Sequence, residues 1–407
     1  MNVSFHRLMS HQRILLLQGK MGTFFYRFAQ FLTHENKHVF KINFNYGDEL
    51  FFRYKDKAFA FREHPTQFST FLTQFIHKYH IQAVVCFNDC RPHHSIAKDV
   101  CNTLGVSFFV FEEGYLRPDY ITLQEHGING YSQLDIPQID HLKFANDKPL
   151  YTNNRFWRLC LASIIYYAAV FVNKRAYPHY RHYRGLTTAE EMAAWLIAPV
   201  RKVLHYLPDK HLERRLTRDN DAYFVVALQV HNDSQISHHS DYGDVRDFIT
   251  EVLLSFAKNA PPHTKLVFKH HPLDRGHRNY ARYIKTLSKK QGVATRVFYG
   301  CDMHLPTLIR HSLGFVTINS TTALQAIYHK KPTKLTGRAL YDLPRLADQQ
   351  PLDTFWQQPT APDHAFYLKF REYLIEQTQL NGSFYGKSPW KIAYQAYKNA
   401  KPTNMSS

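Results

Sequence analysis

Arg13-Ile14-Leu15-Leu16-Leu17-Gln18-Gly19-Lys20-Met21-Gly22-Thr23-Phe24-Phe25 decides the fold class. Arg13–Leu17 reads as a buried strand, Gly19-Lys20-Met21-Gly22 as a tight loop, and Thr23–Leu32 as a helix. The same alternation continues. Ile81–Phe87 and Ser107–Phe111 read as strands with a helix near Ser95–Leu104 between them. It resumes with strands at Tyr223–Leu228, Lys265–Lys269, Arg296–Tyr299 and Gly314–Ile318, separated by helices near Val245–Lys258 and Arg278–Lys290. A β-α-β rhythm favours a parallel sheet covered on both faces. Two such halves in 407 residues predict an α/β chain of two Rossmann-like domains facing a cleft. The expected boundaries are 1–150 and 222–385 for the two domains. A helical, basic and aromatic insertion spans 151–221, and a C-terminal helix and tail span 386–407.

Apolar residues make up 44% of the chain, which excludes a disordered protein. No charged-then-apolar leader with a small-residue cleavage site is read, so export is not expected. Cys86, Cys90, Cys101, Cys160 and Cys301 lack paired metal spacing and read as reduced thiols in a cytoplasmic protein. The net charge of +18 calls for a polyanionic partner: nucleic acid, anionic lipid or a phosphorylated acidic substrate. The charge is spread along the chain without an RNP, zinc-finger or helix-turn-helix pattern, so nucleic acid is the weaker reading.

The insertion holds an apolar run, Leu159–Val172, shorter than the roughly 20 residues that cross a bilayer. Arg155, Trp157 and Arg158 precede it; Lys174, Arg175 and a Tyr/His/Arg-rich stretch, Tyr177–Arg184, follow. Such flanks suit the membrane interface, while a buried core helix has the same length. A second helix, Ala189–His205, opens on a capping-box pattern at Thr187–Glu191 and carries Pro199 as a kink or break.

Five strand ends carry the chemistry. Gly19 and Gly22 frame a loop whose N–H groups suit an anion, as an ordinary strand-to-helix turn also would. Glu112, Glu113 and Arg117 follow a strand: one carboxylate suits a hydroxyl proton and the arginine suits a carboxylate or phosphate. The rival is a solvated acidic turn. Gln229 to Asp233 follow another strand, with Asp233 as nucleophile or electrostatic stabiliser, or as an Asx turn. Lys269, His270, His271 and Pro272 end a third, with Lys269 and His271 suited to a leaving phosphate; no third ligand accompanies the histidines, so metal is not expected. Asn319, Ser320, Thr321 and Thr322 precede a helix, as a phosphate site or an ordinary N-cap. Asp219-Asn220-Asp221 matches D-x-D, a pattern too short to weigh.

Taken in order, these motifs resemble the capsule polysaccharide biosynthesis and export family, the KpsS/LipB-like retaining β-Kdo transferases. Asn88-Asp89-Cys90-Arg91-Pro92, Asn129-Gly130-Tyr131-Ser132, Lys331-Pro332, Gly337–Asp342 and Leu352–Trp356 extend the match over most of the chain outside the insertion. Pro344-Arg345-Leu346 departs from it, standing where the family is expected to have a glycine. The His-Pro and Ser/Thr elements also resemble those that bind CMP in bacterial sialyltransferases. The resemblance implies a GT-B fold and transfer of Kdo from CMP-Kdo to (lyso)phosphatidylglycerol with retention. It implies a peripheral site on the cytoplasmic face of the inner membrane, with other capsule assembly proteins as further partners. The donor would meet Lys269, His271, Asn319, Ser320, Thr321, Thr322, Gln229 and Arg117. Gly19, Gly22, Asp89 and Arg91 form a possible acceptor or phosphate loop. Asp233 would attack the anomeric carbon and Glu113 or Glu112 would deprotonate the lipid hydroxyl, by analogy with paired carboxylates in retaining glycosidases. No metal or cofactor is needed. Rival readings are a non-catalytic component of capsule export and a transferase of another CMP-sugar such as sialic acid.

Overall fold

A computed structural model describes residues 2–136, 139, 141–142, 149–153, 155–182, 185, 188–218, 221–391 and 393–394. Its strands are β1 (Arg13–Leu16), β2 (His38–Asn43), β3 (Ala58–Ala60), β4 (Ala83–Phe87), β5 (Ser107–Glu113), β6 (Tyr120–Glu125), β7 (Tyr223–Ala227), β8 (Lys265–Lys269), β9 (Val297–Gly300), β10 (Gly314–Thr317), β11 (Thr333–Leu335) and β12 (Gln379–Asn381). The chain forms two compact units, residues 1–183 with 370–407, and residues 184–369.

The sheet of the first unit has the order β12-β6-β5-β4-β1-β2-β3. Its strands from β5 to β3 run parallel, while β6 and β12 are antiparallel at one edge. Alternation along the central strands separates two cores. Ile14, Leu16, Val85, Phe109 and Phe111 point into one, with Phe24 and Phe28 of helix Phe24–His34. Leu15, Leu17, Val84, Cys86, Phe108 and Val110 point into the other, with Phe68, Leu72 and Phe75 of helix Phe68–Tyr79. Two covered faces explain why these strands are apolar at every position instead of every second one. The C-terminal stretch completes the first core: Trp390 lies 5.2 Å from Phe24 and 5.3 Å from Phe28 between ring centroids.

The second unit has a fully parallel sheet, β11-β10-β7-β8-β9. Its core gathers Phe224, Val226, Leu266, Phe268, Val316 and Ile318 under helix Val245–Asn259. That helix starts on a capping box in which Asp244 and Asp247 satisfy each other's main-chain N–H groups.

These units divide the chain differently from the expected boundaries at 150, 221 and 385. The insertion is shared out: helix Phe156–Val172 belongs to the first unit and helix Thr188–Arg218 to the second. Pro199 does not end the latter helix, which runs on through Pro199 and Pro208. Tertiary bonds hold it beyond the lost main-chain bonds: Arg201 Nη1 donates to the carbonyls of Arg275 (2.7 Å) and Arg278 (3.2 Å). Buried Asp209 accepts the N–H groups of Cys301 (2.7 Å) and Asp302 (2.6 Å). Asp209→Ala strands both donors and is expected to lower stability by about 2–4 kcal/mol. Urea unfolding measures it, and a change below about 0.5 kcal/mol, the level of an unremarkable surface change, would mean the helix is held otherwise. Tyr183, Arg184, Thr187, Asp219 and Asn220 of the D-x-D pattern and the tail at Lys401–Ser407 lie outside the described residues.

Candidate functional site

In each sheet the strand order reverses once, and ligands of open α/β sheets bind at the carboxyl ends of the strands flanking such a reversal. In the second unit β7 to β9 proceed to one edge and β10 to β11 to the other, so the reversal lies between β7 and β10. The loops that follow these two strands are the ones carrying Gln229–Asp233 and Asn319–Thr322.

They are joined by a reciprocal amide pair. Gln229 Nε2 donates to Asn319 Oδ1 (3.0 Å) and the Asn319 N–H donates to Gln229 Oε1 (3.1 Å). Asn319 Nδ2 also donates to the His239 carbonyl (3.2 Å), and the Tyr341 hydroxyl donates to the Asn319 carbonyl (2.7 Å). Both amides are buried, so they hold the two loops in register. This amends their expected place against the donor, because their polar atoms are engaged with each other.

Beyond this clamp the half-buried hydroxyls of Ser320 and Thr322 lie 2.9 Å apart. Thr322 stands at the start of helix Ala323–Tyr328 without making a side-chain cap, so its hydroxyl does not serve as an ordinary N-cap. Thr321 is half-buried beside them. Asp233 is half-buried as well; its N–H donates to the Val230 carbonyl (2.9 Å) and its own carbonyl accepts from Ile236 (3.0 Å).

At the end of β8, His271 Nδ1 accepts the Leu273 N–H at 3.2 Å. That bond leaves the neutral ring's proton on Nε2, a donor suited to a phosphate oxygen. Lys269 departs from its expected role. Its buried ammonium donates to the carbonyls of His270 (2.9 Å) and Cys301 (2.6 Å), and desolvation lowers its pKa. It secures the strand end instead of reaching a phosphate. His270, buried between the rings of Tyr280 and Tyr299, is pushed down to about 4 by desolvation and stays neutral. Among the described residues no group of three His, Cys, Asp or Glu side chains is arranged to hold a metal ion.

In the first unit the order reverses between β1 and β4. The loops that follow, 17–23 and 88–91, hold the other predicted group. Arg91 Nη1 donates to the Gly19 carbonyl (3.1 Å) while its guanidinium covers the Phe87 ring at 5.2 Å. Gly19 is needed for closeness, since a Cβ there would stand 2.8 Å from the Phe25 ring. Gly22 is needed for its φ of +111°. Asp89 is fully buried and accepts the Ile128 N–H (3.2 Å); burial raises its pKa. Pinning that loop is its role here, in place of the expected ligand contact.

Glu113 forms an ion pair with Lys20, and Glu112 Oε1 accepts the Glu113 N–H (2.9 Å). Lys20 also lies 5.2 Å from the Phe87 ring and 5.0 Å from the Phe384 ring. Arg117 is exposed, donates through Nε to the Gly114 carbonyl (3.3 Å), and belongs to the first unit, unlike the rest of the expected donor set. Sequence reasoning passed over Lys20 and Tyr385, whose hydroxyl donates to the Met21 carbonyl (2.9 Å). Their partners lie far along the chain, so no local pattern marks them.

Helix Phe156–Val172 docks through one face. Tyr166 is buried, and its hydroxyl accepts from Asn45 Nδ2 (2.6 Å) and Gln18 Nε2 (3.0 Å). Phe156, Trp157, Leu161, Ile164, Phe171 and Val172 are exposed, with Val172 at 76%, which overturns the core-helix reading. Arg155, Arg158, Lys174 and Arg175 are exposed at its two ends. Among the described residues no helix is long and apolar enough to cross a membrane.

Residues 82–385 match a family model described as capsule polysaccharide biosynthesis protein. The chain is 40% identical over 392 residues to the capsule polysaccharide modification protein LipB of Neisseria meningitidis serogroup B, covering 93% of each. It is 38% identical to the capsule polysaccharide export protein KpsS of Escherichia coli, covering 93% of this chain and 98% of that one. A solved structure of Thermosulfurimonas dismutans KpsC, beta Kdo 2,7 transferase, overlaps with a TM-score of 0.45 at 12% identity, covering 95% of this chain and 99% of that one. With a family match over most of its length and relatives of this identity, the chain belongs to the capsule polysaccharide biosynthesis proteins.

Proposed function

We propose that this protein is a GT-B glycosyltransferase that moves Kdo from CMP-Kdo to (lyso)phosphatidylglycerol with retention, working on the cytoplasmic face of the inner membrane. The observation that carries this reading is the gathering of Asp233, His271 and Ser320–Thr322 at the carboxyl ends of β7, β8 and β10, around the reversal of one parallel sheet. Membership of the capsule family supports it from a second direction.

In this scheme His271 Nε2–H and the Ser320 and Thr322 hydroxyls hold the CMP phosphate. Asp233 attacks the anomeric carbon as CMP leaves, and the acceptor hydroxyl then displaces Asp233, so two inversions retain the configuration. CMP is a good leaving group, which makes strong acid catalysis at its phosphate unnecessary. In the first unit the loop at Gly19–Gly22, with Lys20 paired to Glu113 and Arg91 on the Gly19 carbonyl, offers mixed charge suited to a phosphate-bearing alcohol. Excess positive charge attracts donor, acceptor and bilayer alike.

The test is release of CMP by the purified protein from a panel of CMP-sugars, CMP-sialic acid included, with and without phosphatidylglycerol vesicles. Lipid-dependent release with CMP-Kdo alone is expected. Release with another sugar only would transfer the reading to that donor. Vesicle binding with no release from any donor would favour a non-catalytic component of capsule export.

A further inference from the structure

We infer that His231 and Asp274 form an acid–base couple in this same site, with His231 taking the proton of the acceptor hydroxyl. The inference rests on the transfer reading above and assigns the proton acceptor within it.

His231 stands on the loop after β7, two residues before Asp233; Asp274 belongs to the short turn Pro272–Asp274 that follows β8. Nδ1 of His231 lies 2.6 Å from Asp274 Oδ1, with the side chains 9% and 0% exposed. The second oxygen of Asp274 is buried without a hydrogen-bond partner. A carboxylate so far from water, with one side-chain partner, is costly unless a neighbouring positive charge offsets it. The bond from the His231 ring is the contact that offsets this cost, and it strengthens as the ring takes up a proton during the step. Ionised Asp274 accepts only, so the bond places a proton on Nδ1 and leaves the lone pair of the neutral ring on Nε2. Among the described residues Nε2 makes no hydrogen bond and is not sealed from solvent. An Asp–His couple of this form both orients a base and stabilises the imidazolium it becomes.

The phenols of Tyr280 and Tyr299 and the ring of His270 also lie within electrostatic reach of Asp274. The His277 ring centroid lies 5.3 Å from that of His231, and His277 Nε2 lies 3.8 Å from Glu191 Oε2 on helix Thr188–Arg218. Arg275 is paired with Asp302, and His270 is held neutral by burial. Asp233 is the other carboxylate on the same loop. By contrast, the carboxylates first expected to be the base are engaged: Glu113 with the Lys20 ammonium and Glu112 with a main-chain N–H. An ammonium neighbour makes a carboxylate a weaker base.

The acceptor oxygen bonds to the anomeric carbon, the bond from that carbon to Asp233 breaks, and its electron pair returns to the Asp233 carboxylate. The hydroxyl proton moves to His231 Nε2 and from there to solvent. Asp274 is a positioning residue, acting through the ring.

His231→Gln keeps an N–H for Asp274 and removes the base. With CMP-Kdo and phosphatidylglycerol vesicles, kcat is expected to fall by about 10²-fold or more while KM for CMP-Kdo stays within about threefold. Because the base works as the neutral ring, wild-type kcat rises with pH along an acid limb, which flattens in the variant. Asp274→Asn should weaken kcat and shift that limb, with partial rescue by Asp274→Glu; this pair carries the test if His231→Gln fails to fold. Wild-type kcat and an unchanged acid limb in both His231→Gln and Asp274→Asn would overturn the couple and leave the transfer reading standing. A wild type that transfers no sugar from any donor would remove both.

Discussion

Asp233→Ala is expected to reduce lipid-dependent CMP release by about 10³-fold or more, because a double displacement has no alternative nucleophile once this carboxylate is gone. The fold should tolerate the change. The turn is held by main-chain bonds from the Asp233 N–H to Val230 and from the Ile236 N–H to Asp233, and neither needs the carboxylate. The Gln229–Asn319 clamp beside it also remains intact. Stability is therefore expected to stay within about 1 kcal/mol of wild type. Mass spectrometry of the wild type stalled with donor should find a Kdo adduct on a peptide containing Asp233. Wild-type-like turnover in the alanine variant would eliminate Asp233 as nucleophile, and with it the two-inversion scheme.

The second large effect concerns the bilayer. Replacing Arg155, Arg158, Lys174 and Arg175 together by glutamine is expected to weaken binding to anionic vesicles by roughly 10²- to 10³-fold, from about 1 kcal/mol for each basic group near the surface. The helix between them leaves an apolar face exposed, with Phe156 65% and Val172 76% exposed, and a bilayer interface is one environment that would relieve this. The loss should shrink at high salt, where the charges of the wild type are already screened. KM for vesicle lipid should rise, while turnover of a short soluble glycerol-phosphate acceptor should persist, since the donor-side residues belong to the other unit. Sedimentation with phosphatidylglycerol vesicles at two salt concentrations measures the effect. Unaltered binding would show that this helix face meets something other than lipid.

Much of this architecture was legible in the order of residues alone. The apolar runs at Arg13–Leu17, Ile81–Phe87, Tyr223–Leu228, Lys265–Lys269 and Gly314–Ile318 are strands, shifted by at most two residues at their ends. Hydrophobic period and turn chemistry are local properties, so they survive without any knowledge of the partners. The motifs were legible for the same reason, since in parallel sheets strand ends are where loops can be functional: the loops after β1, β4, β7 and β10 flank the reversals of strand order, whereas those after β5 and β8 do not.

What each polar side chain does was settled only by the tertiary structure. Lys269 and His271 look alike as phosphate ligands, yet the first is spent on two carbonyls and the second accepts the Leu273 N–H at Nδ1. Asp89 and Asp233 look alike as strand-end carboxylates, yet Asp89 is buried on the Ile128 N–H. Lys20 meets Glu113, His231 meets Asp274, and the C-terminal β12 and Trp390 complete a unit begun at the other end of the chain. The sequence by itself determined the elements and the loops between them, because backbone preference and burial period act over a few neighbouring residues. Which of the polar groups meet one another across the fold, as Lys20 meets Glu113, His231 meets Asp274 and Lys269 meets Cys301, was decided by contacts between residues tens of positions apart, and no local pattern encodes those.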